Sequence, residues 1–181
     1  MKKIIIITLL IIICQGVFAI EFVFQNGKIY GMKKHTNAPN IINIPNGVTD
    51  CSLLDFTLGS FERYIDLEKI KAINIPATVT KIEIGNMHDC YYSLNAINVN
   101  KNNKYFCSVN GVLYNKNKTK LIRVPQAIKN KIFTIPKEVK EIDTFAFANC
   151  SNIKTIKASK ELNSWVLDNL KENYEKEILR Y

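Results

Sequence analysis

The chain has 181 residues, a formal net charge of +9, five cysteines and only two histidines. That length fills one domain of ordinary size and needs no second, and so few histidines leave little material for hydrolytic or redox chemistry. The positive balance does not point to nucleic acid, because the lysines are scattered among asparagines and isoleucines (KNNK, NKNKTK, KNK) rather than gathered on one helix or joined by arginines. A joint bias toward Lys, Asn and Ile is more simply the imprint of an AT-rich genome.

The first expected element is a secretory signal peptide over residues 1–19. Lys2 and Lys3 precede an apolar run from Ile4 to Ile13, and Val17-Phe18-Ala19 supplies the small-residue end. The run is shorter than the roughly 20 residues a spanning helix needs. Cleavage is expected after Ala19. The alternative, a lipid carried on Cys14, is disfavoured because Ile13 stands where a small residue is usual. Export permits disulfides, and Cys51, Cys90, Cys107 and Cys150 allow three pairings, none selected by their spacing. There is no CxxC, so a metal knuckle is not expected, and no cofactor is expected either.

The solenoid is expected over residues 20–158. A hairpin near residues 22–31 turns at Asn26-Gly27, because this pair accepts the positive φ of a tight turn. INIPNGV follows, with Ile44, Pro45 and Val48, and then an insertion around Leu54 to Glu62. INIPATVTKIEIGNMHDC repeats the pattern, and a second hairpin near residues 105–124 turns at Asn110-Gly111. FTIPKEVKEIDTFAFANC aligns with the middle copy without a gap: Pro136 with Pro76, Val139 with Val79, Ile142 with Ile82 and Cys150 with Cys90. Self-similarity at this period means stacked coils rather than a globular core.

Each copy places two apolar residues around one polar residue: Ile42 and Ile44, Ile73 and Ile75, Ile97 and Val99, Phe133 and Ile135, Ile156 and Ala158. On a short strand these pairs face the core and the middle residue faces out. Proline then ends the ladder, having no backbone donor. A lone copy buries too little to offset the ordering of its backbone, so copies must stack. Residues 159–181 are expected to form one amphipathic capping helix, with Leu162, Val166, Leu170, Tyr174 and Ile178 as its stripe and Trp165 sealing the edge. A membrane-surface helix is the sharper alternative. The first hairpin would cover the other end.

These residues resemble the BspA-type leucine-rich repeat family, also called the Treponema type. The likeness rests on FTIPKEVKEIDTFAFANCSNIKTI and on the preceding NGVLYNKNKTKLIRVP, and it weakens toward the N-terminus; Met87 and His88 depart from the Ala-Phe of Ala146-Phe147, and the first copy lacks the Cys, with Leu67 nearest. The resemblance implies a bacterial secreted or surface protein, an α/β leucine-rich-repeat solenoid with a curved sheet of short, mainly parallel strands, inserted β-hairpins and a C-terminal capping helix. It also implies adhesion to host proteins or other cells.

Little else carries chemistry. His35 lies in a turn-like segment, and His88 with Cys90 reads as a loop histidine beside a repeat cysteine rather than a nucleophile or ligand pair. Glu138 and Glu141 belong to a solvated turn. Asn117 and Asn149 formally match glycosylation acceptors, which mean little in the bacterial chain that the resemblance implies. No GxSxG, Walker or HExxH pattern occurs. Tyr91, Tyr92 and Tyr105 are aromatic candidates beyond scaffold, against a plain reading as loop packing. The expected binding surface is the polar strand row Asn43, Asn74, Asn98, Thr134 and Lys157. It would serve a non-enzymatic binding module in the envelope or outside the cell, with a protein or glycan ligand, no nucleic acid and no membrane insertion after cleavage. A structural spacer and a secreted hydrolase are the competing expectations.

Overall fold

The computed structural model describes residues 20–34, 40–51, 69–82 and 92–181. The expected leader with Cys14, His35, the insertion around Leu54 to Glu62, Leu67, Met87, His88, Cys90 and Tyr91 lie outside the described residues.

In chain order, β1 (Ile20–Gln25) and β2 (Lys28–Lys34) form an antiparallel hairpin. Three short strands follow, β3 (Ile41–Asn43), β4 (Ala72–Ile75) and β5 (Ala96–Val99), paired in parallel. Next come β6 (Phe106–Val109), β7 (Val112–Asn115) and β8 (Lys120–Arg123), an antiparallel meander. The C-terminal part holds β9 (Ile132–Thr134), β10 (Glu141–Ile142), β11 (Thr155–Ala158), α1 (Ser164–Tyr174) and β12 (Glu177–Arg180). There β11 lies between β9 and β12, all parallel, while β10 pairs in parallel with β8.

The coils repeat one local design. Strand alternation buries Ile42, Ile73 and Ile97, which are register partners in the first parallel sheet, and Phe133 and Ile156 in the second. Pro45, Pro125 and Pro136 then open tight turns in which the proline carbonyl accepts the N–H three residues on, from Val48, Ile128 and Val139. At the start of each new strand one carbonyl of the previous coil accepts two N–H groups of the next. Asn40 O takes Lys71 and Ala72, Lys71 O takes Asn95 and Ala96, and Lys131 O takes Lys154 and Thr155. A second seam runs beyond the turns, where Gly27 O accepts from Thr49 and Asp50, Thr49 O from Thr80 and Lys81, and Thr119 O from Lys140 and Glu141. Since a buried backbone group left unpaired is costly, each coil depends on its neighbour for these partners.

The interior is divided. One apolar cluster holds Ile42, Ile44, Val48, Cys51, Ile70, Ile73, Ile75, Val79, Leu94 and Ile97. The other holds Phe133, Ile135, Val139, Phe147, Cys150, Ile153, Ile156, Leu167 and Leu170, among others. Between them stands the meander, whose side chains alternate. Leu113, Ile122 and Phe106 pack into the first cluster, and Val112, Tyr114, Leu121 and Cys107 into the second. Both faces of this sheet are therefore covered, which is why β7 and β8 read as nearly continuous apolar runs.

The turn at Asn110-Gly111 anchors the meander. Both residues have positive φ (49° and 79°), as do Asn26 and Gly27 (50° and 77°) in the first hairpin, the geometry of a two-residue hairpin turn. Gly111 O accepts the N–H of Ile97 on β5 at 2.8 Å. A Cβ on Gly111 would lie 3.0 Å from the Ala96 Cα at a positive φ, so glycine lets the hairpin tip sit against β5 without crowding or strain.

The short parallel strands of the solenoid lie in two three-stranded sheets, because the meander docks on the edge of β5 where a further repeat strand would pair. One expectation is corrected. The single helix over 159–181 is shorter. α1 starts at the N-cap Asn163, whose Oδ1 accepts the Trp165 N–H at 2.9 Å, and ends at Glu175, which is left-handed (φ 50°) and returns its N–H to Lys171 O. The chain then extends as β12, which aligns Ile178 with Ile156. The buried helix face is Leu167, Leu170 and part of Tyr174, and Trp165 is 71% exposed and seals nothing.

Gly47 also has positive φ (94°), but a Cβ there meets nothing within 4 Å. Gly47→Ala should therefore carry only backbone strain, about 1–2 kcal/mol, whereas Gly111→Ala carries that strain plus the clash with Ala96. Urea unfolding of both variants checks this. Equal losses would show that the hairpin tip is not seated against β5.

Candidate functional site

Two outward faces arise from the alternation that fills the core. On the first sheet the outward residues are Ile41 and Asn43, Ala72 and Asn74, Ala96 and Asn98. The three asparagines form a ladder: Asn74 Nδ2 donates to Asn43 Oδ1 at 2.7 Å, and Asn98 Nδ2 donates to Asn74 Oδ1 at 2.9 Å. A carboxamide offers two donors and two lone pairs. The middle amide thus spends one of each within the ladder and keeps one donor and one acceptor for a partner, on a strip set by the parallel strand spacing of roughly 4.8 Å.

On the second sheet the outward residues are Ile132 and Thr134, Thr155 and Lys157, Glu177 and Leu179. Thr155 Oγ1 donates to Glu177 Oε2 at 2.9 Å, and Lys157 stands between Thr134 and Leu179 in register. Ile132 and Leu179 are among the most exposed large apolar side chains. The sequence-derived row is thus brought together as a group of three, Asn43, Asn74 and Asn98, and a separate group of two, Thr134 and Lys157. The row residue of the last strand, Leu179, was missed, because the segment carrying it reads as helix. Tyr92 and Tyr105 are both about half exposed, at 51% and 52%. Glu138 and Glu141 are exposed.

The buried polar groups serve the scaffold. Arg123 is fully buried beneath the 143–150 loop, where its Nη1 donates to Phe145 O while Nε and Nη2 have no hydrogen-bond partner. Burial lowers its pKa, against the pull of Cys150, Tyr174 and Asp143. Tyr174 OH donates to Thr144 O, tying α1 to the same loop. Cys51, Cys107 and Cys150 are free thiols. Burial pushes Cys51 up to about 12, with the Asp50 carboxylate adding to the shift, and Cys150 up to about 11 against the opposing charges of Arg123 and Lys176. Cys107 is raised by burial and held back by Lys118 and Lys116. A thiol kept protonated is a poor nucleophile and a poor metal ligand, and the described residues contain no group of three or more His, Cys, Asp and Glu placed to hold a metal ion. Cys51 fills the first coil at the position that Ile82 and Ile142 occupy later; its spacing from Pro45 equals theirs from Pro76 and Pro136.

A coil of short parallel strands, proline-opened turns and inward Ile pairs defines a leucine-rich-repeat solenoid. Residues 125–170 match the family model described as BspA type Leucine rich repeat region (6 copies), so this stretch is similar to that family. Similar solved structures include a leucine-rich repeat protein from Eubacterium ventriosum (29% identity over 65% of this chain and 32% of that one, TM-score 0.49). Others are the pneumococcal vaccine antigen PcpA (24%, 68% and 34%, 0.51) and a leucine rich cell surface protein from Faecalibacterium prausnitzii (25%, 69% and 37%, 0.47). The chain spans about a third of the length of these proteins. No curated protein matches it significantly.

The thiols give a pH test. Their folded pKa values lie above the ordinary 9.0, so the stability they contribute is fully present below pH 9 and is lost as pH rises through about 11 and 12. In a chain carrying Cys14→Ser and Cys90→Ser, denaturant midpoints should fall from pH 9 upward, less steeply once Cys51→Ala and Cys150→Ala are added. Native labelling at pH 8 should modify Cys107 well before the other two. Equal labelling of all three would contradict their burial.

Proposed function

We propose that the chain is a non-enzymatic binding module of the cell envelope or exterior, and that it takes a protein or glycan partner on the outward faces of its parallel sheets. The asparagine ladder carries this reading. It is a regular, uncharged strip with unspent donors and acceptors, held on strands whose inner faces are locked in the core. Such preorganisation lowers the entropic cost of association, and outward sheet faces are where stacked-repeat proteins offer extended surfaces. The Ile41 and Ile132 side chains add apolar contact beside the polar rows.

One observation favours a second reading, a structural spacer: each ladder amide is already hydrogen-bonded to its neighbour, an arrangement that stiffens a coil stack without any partner. Pull-down from envelope extracts separates the two. Replacing Asn43, Asn74 and Asn98 together by alanine should weaken capture of a module's partner about tenfold or more, equivalent to about 1.4 kcal/mol, while Thr134→Ala with Lys157→Ala reports on the second face. A spacer would be indifferent to both. Turnover of esterase, glycosidase or protease substrates, abolished by His88→Ala, would contradict the non-enzymatic reading.

A further inference from the structure

The net charge has a location. Between Cys90 and Lys137 the chain has no Asp or Glu, while it carries eight lysines and Arg123, so this stretch alone accounts for the formal net charge of +9 and the rest of the chain is balanced. It is the stretch that contains the meander dividing the two cores.

The fold concentrates part of that charge. The loop 100–105 and the β7–β8 turn lie side by side: Lys116 N donates to Tyr105 O at 2.7 Å, and the Lys116 ammonium donates to Lys101 O at 3.3 Å and to Asn103 O. Lys116 thus acts as a clamp between the two segments. Lys101, Lys104 and Lys118 remain exposed around it, Lys118 at the tip of its turn with φ 58°. Lys120, at the edge of the group, is paired with Asp143 at 3.4 Å.

The backbone that presents these lysines is fixed from below. Asn103 is fully buried, and its Nδ2 donates to Pro76 O and Val79 O, each at 2.9 Å, while its Oδ1 accepts from Tyr105 N and Phe106 N, each at 2.8 Å. The full donor and acceptor capacity of the amide is used. On the other side Asn115 holds its turn through Nδ2 to Thr119 Oγ1 at 2.8 Å and Oδ1 to Lys120 N at 3.0 Å. Like charges held close on rigid loops repel one another in the free protein, and a polyanion relieves that repulsion.

We propose that this lysine face binds an anionic polysaccharide, one bearing sulfate or carboxylate groups along its length. The chemistry selects this class over nucleic acid. The exposed cations are all ammonium groups, point charges that pair with sulfate, carboxylate and phosphate alike, so the discrimination comes from the aromatics. In the two segments that carry these lysines Tyr105 is the one exposed aromatic, whereas strands of nucleic acid are held by stacking successive bases on several rings. The face uses none of the ladder asparagines, so either assignment can fail alone.

The test is titration of the full chain with a heparin-type sulfated oligosaccharide between about 50 and 200 mM salt. Binding should weaken with salt, and Lys101→Gln/Lys104→Gln/Lys118→Gln should lower affinity at least about tenfold and flatten the salt slope by about two to three. Lys129→Gln/Lys131→Gln/Lys137→Gln removes the same charge from exposed sites elsewhere in the acid-free stretch, and should lower affinity less than about threefold by that same counterion argument. All six side chains are exposed, so thermal melts of both triples should match the parent. Equal losses in the two triples, or no binding by the parent chain, would overturn the site. A single-stranded DNA of matched charge binding as tightly as the glycan would overturn the polysaccharide.

Discussion

Strands of three or four residues cannot satisfy themselves. Each has one inward side chain or two, and its backbone donors and acceptors point along the stack, half toward each neighbour. The doubled acceptors at Asn40, Lys71 and Lys131, and the second seam through Gly27, Thr49 and Thr119, meet that demand one coil at a time. The demand has to be met at the middle of the molecule as well, and there the β6–β8 meander does it. It docks Gly111 on β5, sends Leu113 and Ile122 into one core and Tyr114 and Leu121 into the other, and offers the β8 edge to β10. The two stacks lean on a shared wall.

The candidate surfaces follow from this arrangement. Because the inward rows are locked, the outward rows are locked too, at a spacing set by hydrogen bonding rather than by side-chain chemistry. That fixes the asparagine ladder on one sheet and the Thr134–Lys157 pair on the other. The same wall carries the lysines outward. Its edge loops are held by Asn103 and Asn115, so a charge imbalance spread thinly along the chain becomes a local feature in three dimensions.

Much of the coil was legible because its signals are local. Ile42, Ile73, Phe133 and Ile156 face inward by alternation, proline closes β3, β4, β8 and β9, and the Asn-Gly pairs mark both hairpins. What was not legible depends on long-range pairing. A hairpin that docks on a strand edge and one that projects from a continuous sheet have the same sequence signature, so the division into two sheets was hidden. EKEILRY keeps a helical period, yet the left-handed Glu175, with no glycine to announce it, ends α1, and pairing with β11 outweighs helix propensity. The shift of the helix face by one position, to Leu167 rather than Val166, left Trp165 in solvent. The lysine group was invisible for a related reason: Lys101 and Lys116 are neighbours only because the meander folds back.

Amide hydrogen exchange on the Leu113→Ala variant tests the shared wall most directly. Leu113 faces only the first core, and its truncation should cost about 2–5 kcal/mol. If the wall couples the stacks, protection falls together on β3–β5 and on β9, β11 and β12. A loss confined to β3–β5, with the C-terminal stack as protected as before, would contradict the account.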